Sequence, residues 1–342
     1  MRSLAILTVR NEGSFLIDWL AHHRAIGFTD FLVFSNDCQD GTDAMLDRLA
    51  ELDWITHIRN DAPSPKGPQW AALARAEDHP LRQSADWILV CDIDEYVNIH
   101  TGDGSLAALR AALPQATAIP LTWRMFGNAG VVEIEDRPMT EVFTRAAPTV
   151  LYWPWRAQLF KTLFRNDGSY GKLGVHRPRA LRADRAAQVR WVSGSGQPLG
   201  GAYLTTRIFS DLGVDSQRLV QLNHYALGSM QGFLVKADRG RSNREASAAD
   251  AGYWVERNFS AVEDRSIARV APQVAPLRAA LLADPVLGSL HRQALAWRRQ
   301  RFADLMREEG WRTLYTRILM AGPSRILSEV ESRSIWQHGQ NR

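Results

Sequence analysis

Two aspartates one residue apart, Asp92 and Asp94, follow a short apolar run and are followed directly by Glu95. If the run is a strand that continues through them, both carboxylates share one face about 6.5–7 Å apart and can address one small hydrated site. Hard oxygen ligands of this kind suit Mg²⁺ or Mn²⁺, which keep some waters and bridge to phosphate oxygens. In such a site Asp94 ligates the ion and Asp92 meets a ribose or the water shell. An Asp-x-Asp pair alone also serves as a polar exit from a strand, so its meaning depends on the elements around it.

Those elements are legible upstream. Leu4-Ala-Ile-Leu-Thr-Val9 is too short for a helix and runs into Arg10-Asn-Glu-Gly13, the signature of a buried strand and its loop. From Ser14, the expected N-cap, apolar residues recur at Phe15, Leu16, Trp19, Leu20 and Ile26 up to Gly27, which suits the C′ position of an amphipathic helix. The unit repeats with Phe31-Leu-Val-Phe34 as strand, a helix opened by Asp40-Gly-Thr42 and carrying Met45, Leu46 and Leu49, and a third strand over Trp54-Ile-Thr-His-Ile58. A proline-rich loop from Pro63 to Pro68 leads to a helix near 69–78, and Trp87-Ile-Leu-Val-Cys91 is a fourth strand ending at Asp92. Alternation at these lengths predicts an α/β fold, a Rossmann-like, mostly parallel sheet with helices on both faces. Ligands of such sheets bind at the carboxyl ends of the strands. Arg10, Glu12, Asn36, Asp37, Asp92 and Asp94 all fall at such ends.

Beyond residue 100 the pattern loosens into a helix near 105–112, a strand near 117–123, and loops or antiparallel strands rich in Trp, Arg and Gly. From about 285 the chain reads as helical, with Trp297, Phe302, Leu305, Met306, Trp311 and Leu314 among many arginines. The expected division is a catalytic-type domain over 1–245 and a C-terminal helical extension over 246–342. The apolar stripe of that extension either packs on the body or meets a partner helix or an anionic membrane surface.

Bulk properties narrow the class. A chain of 342 residues, 45% of them hydrophobic, can bury a sizeable core. Cys38 and Cys91 form no disulfide framework and no zinc pattern, which points to a reducing compartment. No apolar run reaches the roughly 18 residues of a membrane span, and the first residues read as a strand and not as a secretory leader. A cytoplasmic protein is expected, peripheral at the inner membrane surface if the last helices meet lipid. The net charge of +4 carries no case for nucleic acid, whereas an arginine-rich basic complement favours planar recognition of phosphate or carboxylate.

Taken in order, Val9-Arg-Asn-Glu12, Trp19-Leu-Ala-His-His23, Gly27-Phe28, Ser35-Asn-Asp37, Asp40-Gly-Thr42 and Cys91-Asp-Ile-Asp-Glu95 resemble the family-2-like glycosyltransferases of the GT-A fold. Within them the chain resembles a bacterial subgroup that continues with Trp-Arg-x-Phe-Gly, here Trp123–Gly127, and Asn-His-Tyr, here Asn223–Tyr225. The resemblance covers roughly residues 4–245. It implies that Arg10, Glu12, Asn36 and Asp37 hold nucleobase and ribose, that Asp92 and Asp94 serve a Mn²⁺ or Mg²⁺ ion, and that His224 completes the metal shell as a neutral imidazole. The partners it implies are a nucleotide-sugar donor, more often UDP-linked, and a glycan, lipid or protein acceptor. Lys236, Arg239 and Arg241 concentrate cations where a closing loop could clamp a diphosphate. His176, Lys172 and Arg124 are further donor-side or acceptor-side candidates, and each reads equally as an ordinary loop or surface residue.

Sugar transfer also needs charge stabilisation on the departing phosphate and, for inversion, a carboxylate to deprotonate the acceptor. No unambiguous catalytic Glu-Asp pair and no Gln-x-x-Arg-Trp follow downstream. Glu133, Glu135 and Asp136 lie in the right region, and Glu263-Asp264 is a literal pair too far along. Three other readings compete. A haloacid-dehalogenase-like phosphatase carries its Asp-x-Asp on the first strand and not the fourth. A nucleotidyltransferase wants a glycine-rich first loop, which Arg10–Gly13 lacks. A degenerate transferase-like domain would bind glycans or an anionic partner through its tryptophans.

Overall fold

The computed structural model describes residues 1–61, 64–239 and 250–340. Pro63, and the boundary expected at 245/246, lie outside the described residues.

The apolar runs form β1 (Ser3–Val9), β2 (Asp30–Ser35), β3 (Thr56–Arg59) and β4 (Trp87–Cys91), joined by α1 (Gly13–Ala25), α2 (Thr42–Glu51), α3 (Pro68–Glu77) and the short α4 (Pro80–Ser84). They pair in parallel in the order β3-β2-β1-β4. Both faces of β1 are buried, which is why its sequence is continuously apolar and not alternating. Ala5, Leu7 and Val9 pack with Leu16, Leu20 and Met45 on one side. Leu4 and Ile6 pack with Ala72, Leu73 and Ala76 of α3 on the other. Helices therefore cover both faces, as the alternation predicts.

Beyond β4 the chain continues as β5 (Glu95–Ile99), α5 (Leu106–Ala112), β6 (Ala118–Met125), α6 (Met139–Val142), β7 (Arg145–Ala146), β8 (Phe160–Arg165), the hairpin β9 (Tyr170–Lys172) and β10 (Arg179–Leu181), β11 (Trp191–Val192), β12 (Pro198–Leu199) and β13 (Val220–His224). β8 lies antiparallel between β4 and β6, so the sheet is parallel in its first half and mixed in its second. β13 joins it twice, parallel to the end of β6 and antiparallel to β5, with His224 opposite Glu95 and Met125. This double pairing brings Asn223-His-Tyr225 beside the Asp-x-Asp segment from 130 residues away.

The remaining elements are α7 (Met230–Arg239), α8 (Ala251–Val255), β14 (Val262–Glu263, paired with β7), α9 (Ala271–Ala283), α10 (Pro285–Leu305), α11 (Glu309–Met320) and α12 (Glu329–Gln340). α10 packs against α1, α2, α7 and α9, burying Leu287, His291, Ala294 and Leu295. Asp284 caps it, accepting from the backbone N–H groups of Val286 and Leu287 at 3.1 and 2.9 Å while pairing with Arg48 of α2 at 2.7 Å. The approach to α1 is close enough to require glycine, because a Cβ on Gly13 would stand 2.9 Å from Ala294 Cβ. Among the described residues no helix is long and apolar enough to cross a membrane.

Two local expectations change. Ser14 does not cap α1; the helix begins at Gly13, whose N–H is taken by Asp40 Oδ2 at 3.0 Å. The second loop thus supplies the cap that a neighbouring residue was expected to give. Nor does the fourth strand continue through the Asp-x-Asp pair. It stops at Cys91, and the Glu95 N–H donates to the Asp92 carbonyl at 3.1 Å, closing a turn that launches β5.

Candidate active site

Because Asp92 and Asp94 stand in a turn, strand alternation does not align them, and each meets its own lysine. Asp92 Oδ2 accepts from Lys161 Nζ at 2.9 Å and Oδ1 from Gln69 Nε2 at 3.2 Å. Asp94 Oδ2 accepts from Lys236 Nζ at 2.6 Å and lies 3.6 Å from His224 Nε2.

The first aspartate stands over a buried ionic knot. Lys161 on β8 and Glu95 on β5 have no exposed side-chain surface, and their charged atoms are 3.8 Å apart. Glu95 Oε2 accepts the Asp92 N–H at 2.9 Å and Oε1 the Trp123 indole N–H at 2.7 Å, which locks the turn to β6. Burial disfavours the Lys161 ammonium, but Asp92 and then Glu95 outweigh it and raise its pKa. Burial pushes the Glu95 carboxyl well up, against Lys161. His176 closes this side, its Nδ1 3.0 Å from the Phe160 carbonyl, with burial lowering its pKa to about 4.

The second aspartate is electrostatically different. Burial would raise its pKa, yet Lys236 and His224 hold it well below the ordinary value, so it is a carboxylate. Burial lowers the pKa of His224, which is therefore a neutral imidazole near pH 7. Its ring tilts over Trp123 with centroids 4.2 Å apart, and its Nδ1 has no partner. Among the described residues no three His, Cys, Asp or Glu side chains converge as a metal cage. Asp94 and His224 stand side by side, while Asp92 is held by Lys161 and Gln69.

The first two loops are cross-tied. Asn11 and Asp37 take left-handed φ values of 52° and 48°, which Asn and Asp tolerate. Asn11 Nδ2 donates to Gln39 Oε1 at 2.6 Å, and the Gln39 N–H returns to Asn11 Oδ1 at 2.7 Å. Arg10 pairs with Asp37, and Asn36 is buried at the end of β2. Arg239, at the end of α7, pairs with Glu12 and donates to the Arg10 carbonyl at 2.7 Å, while Arg10 donates back to the Arg239 carbonyl at 3.1 Å. α7 is thereby fastened to the first loop at Arg239 and to the Asp-x-Asp turn at Lys236.

Between these groups opens a cleft lined by Glu12, Asp94 and Lys236 together with Glu133 and Glu135. Glu135 pairs with Arg137 at 3.3 Å, whereas Glu133 is exposed and has no hydrogen bond or ion pair among the described residues. Asp136 is drawn out to His291 at 2.9 Å and Arg278 at 3.8 Å. Lys172 is exposed on the β9–β10 hairpin, outside the central sheet. Arg124 is buried 3.8 Å from Asp264. Arg241 lies outside the described residues.

Three groups of the site stand outside the residues expected from the sequence. Lys161 carried a signal, a lone cation inside the apolar strand Phe160–Phe164. Glu95 was read as part of a motif and not as a buried acid. Arg298, on α10, lines the same cleft and carried none, being one arginine among many.

No family model matches the chain. It is 25% identical over 145 residues, 42% of its own length and 24% of the relative's, to a glycosyltransferase family 92 protein of Oryza sativa subsp. japonica. It is 21% identical over 141 residues, 40% of this chain and 25% of the relative, to a glycosyltransferase family 92 protein of Ricinus communis. The match thus spans about a quarter of the length of these curated relatives. Among solved structures, residues 1–349 of S. aureus TarS align over 90% of this chain and 91% of that one, at 14% identity and a TM-score of 0.34.

Proposed function

We propose that the chain transfers a sugar from a nucleotide-diphosphate donor, UDP-linked, to a hydroxyl of a saccharide, lipid or protein acceptor. The observation that carries this reading is that Asp94 and Lys236 line one cleft with Glu12 of the first loop while Asp94 also lies 3.6 Å from His224. The names of the two curated relatives point the same way.

An ionised Asp94 and a neutral His224, 3.6 Å apart at their nearest atoms, fit a Mg²⁺ or Mn²⁺ ion that takes its remaining ligands from water and phosphate. When bound, the ion would neutralise charge on the departing diphosphate. Lys236 and Arg239 would hold that diphosphate on the α7 side. Arg10, Asn36 and Asp37 would bound the base and ribose in the cross-tied loops, with Asp92, steadied by Lys161, at their edge. Glu133, the carboxylate in the cleft without a partner, would take the acceptor proton. In that step the acceptor oxygen bonds to the anomeric carbon, the bond from that carbon to the diphosphate oxygen breaks, and its electron pair leaves with the nucleoside diphosphate.

The test needs no acceptor. A panel of nucleotide sugars is incubated with the intact protein and with Asp94→Ala, with and without Mn²⁺, and slow donor hydrolysis is followed. Metal-stimulated hydrolysis of at least one donor that disappears in Asp94→Ala is expected. Metal-dependent UDP binding by calorimetry with no donor turned over would leave a nucleotide-binding module in its place.

A further inference from the structure

The charged groups of the cleft are matched almost one to one. Asp94 is paired with Lys236, Glu12 with Arg239, and Glu135 with Arg137. Two are left over, the carboxylate of Glu133 and the guanidinium of Arg298.

Arg298 enters from α10. It is 5% exposed, lies with its guanidinium carbon 4.7 Å from the centre of the Phe15 ring, and donates from Nη2 to the Gly232 carbonyl at 3.0 Å. Its Nε is buried without a partner, and Nη1 has none among the described residues. A guanidinium offers five N–H donors and cannot shed its charge. Burying it with one neutral acceptor is costly unless an anion completes the shell. Burial lowers its pKa from the ordinary value, with Glu12 only partly compensating.

Its position relative to Glu133 follows from the backbone. Gln231 and Ile134 pin the 131–134 segment onto the start of α7, through Gln231 N–H to the Val132 carbonyl at 3.0 Å and Ile134 N–H to Gln231 Oε1 at 3.3 Å. Gly232, which Arg298 holds, is the next residue. Arg299, its neighbour on α10, donates to the Ile134 carbonyl at 3.1 Å. The unpaired acid and the unpaired cation thus line one cleft, to which Ile134, Met139 and Phe143 add apolar surface.

We propose that Arg298 is an anion-binding subsite on the acceptor side of this cleft, selecting acceptors that carry a carboxylate or phosphate near the hydroxyl that receives the sugar. The assignment to the acceptor rests on the transferase reading; the anion site itself does not. α10 is then part of the recognition surface and not only a support for the sheet.

The test uses the full chain and three probes of one shape: benzoate, phenyl phosphate and uncharged benzyl alcohol. Calorimetry on the intact protein is expected to show binding of at least one anion and none of the alcohol, and the stronger anion identifies the acceptor group as carboxylate or phosphate. Arg298→Met is expected to weaken that anion at least tenfold and Arg298→Lys to restore part of it, with UDP binding in Mn²⁺ changed less than twofold in both. Equal binding of alcohol and anion, or anion binding untouched by Arg298→Met, would overturn the proposal. So would a loss in Arg298→Met that falls on UDP and spares the probes, since the cation would then serve the donor. If the variants do not fold, a benzoate or phenyl phosphate soak of the intact protein decides, by an anion seated within hydrogen-bonding distance of Arg298 or elsewhere. Failure of UDP to bind the intact protein would remove the transferase reading and leave the anion result to stand or fall separately.

Discussion

Replacing Lys161 by Met isolates the ionic knot under the Asp-x-Asp turn. The side chain is fully buried and unbranched, so methionine fills most of its volume and the change is chiefly the loss of one ammonium. Removing one partner of a buried ion pair costs about 3–5 kcal/mol, because the remaining charge is left uncompensated. Here the two remaining carboxylates differ. Asp92 is 38% exposed and can rehydrate, so its share is about 1 kcal/mol or less. Glu95 is fully buried and keeps its bonds from the Asp92 N–H and the Trp123 indole. The sum expected for Lys161→Met is therefore about 3 kcal/mol, with most of it at Glu95. Urea unfolding followed by tryptophan fluorescence and far-ultraviolet circular dichroism reads this as a lower midpoint at unchanged slope. A double-mutant cycle with Asp92→Asn should return a coupling of about 1 kcal/mol or less. A total cost below about 1 kcal/mol would refute the reasoning, since it would mean that Lys161 is not the counter-charge of a buried acid.

Other perturbations separate the parts of the site and of the fold. Asp94→Asn and His224→Ala are each expected to lower metal-stimulated donor hydrolysis at least about 100-fold, of the order seen when a preorganised stabilising group is lost; hydrolysis that stays metal-stimulated in both would exclude them as ligands. His22 is buried, and burial depresses its pKa to about 4 from an ordinary 6.5, outweighing its bond to the Val97 carbonyl. Below pH 6.5 the unfolded chain binds the extra proton first, so stability is whole above that pH and declines toward pH 4, by on the order of 2 kcal/mol between pH 7 and 5. His22→Gln, which keeps a donor for Val97, should flatten this part of the pH profile, and an unchanged profile would assign the acid sensitivity elsewhere. A Cβ on Gly127 would stand 2.5 Å from the Phe259 carbonyl oxygen, so Gly127→Ala should cost about 1–3 kcal/mol in the same urea assay, and a neutral result would show that the two segments can part freely.

The parallel half of the sheet was readable because β1, β2 and β4 are buried and largely apolar along their length, and because Gly27 and Gly41 punctuate it with φ of 106° and 87°. The cap of α1 was not, since Asp40 reaches Gly13 across 27 residues and nearest-neighbour rules favour Ser14. The Asp-x-Asp pair was located correctly at the end of the fourth strand, but its internal geometry depended on whether that strand ran on. Two residues of turn in place of strand separate the carboxylates onto different lysines. Convergence of His224 with Asp94 depends on β13 pairing with both β5 and β6, a long-range event that no local pattern in Asn223–Tyr225 encodes. Arg298 was invisible for a related reason, because α10 buries arginine and histidine alongside leucine and its core-facing side does not read as an apolar stripe.

The resting of Ala294 on Gly13 has a bearing on how the molecule is made. Ribosomes deliver the sheet first, and β13 completes it by residue 224, yet the helix that touches the first loop is synthesised some seventy residues later. A nascent chain halted between those points can pair its strands while Gly13 faces water and the cleft lacks a wall. Binding competence should then appear only after α10 has left the exit tunnel, late in translation and well behind the acquisition of β structure.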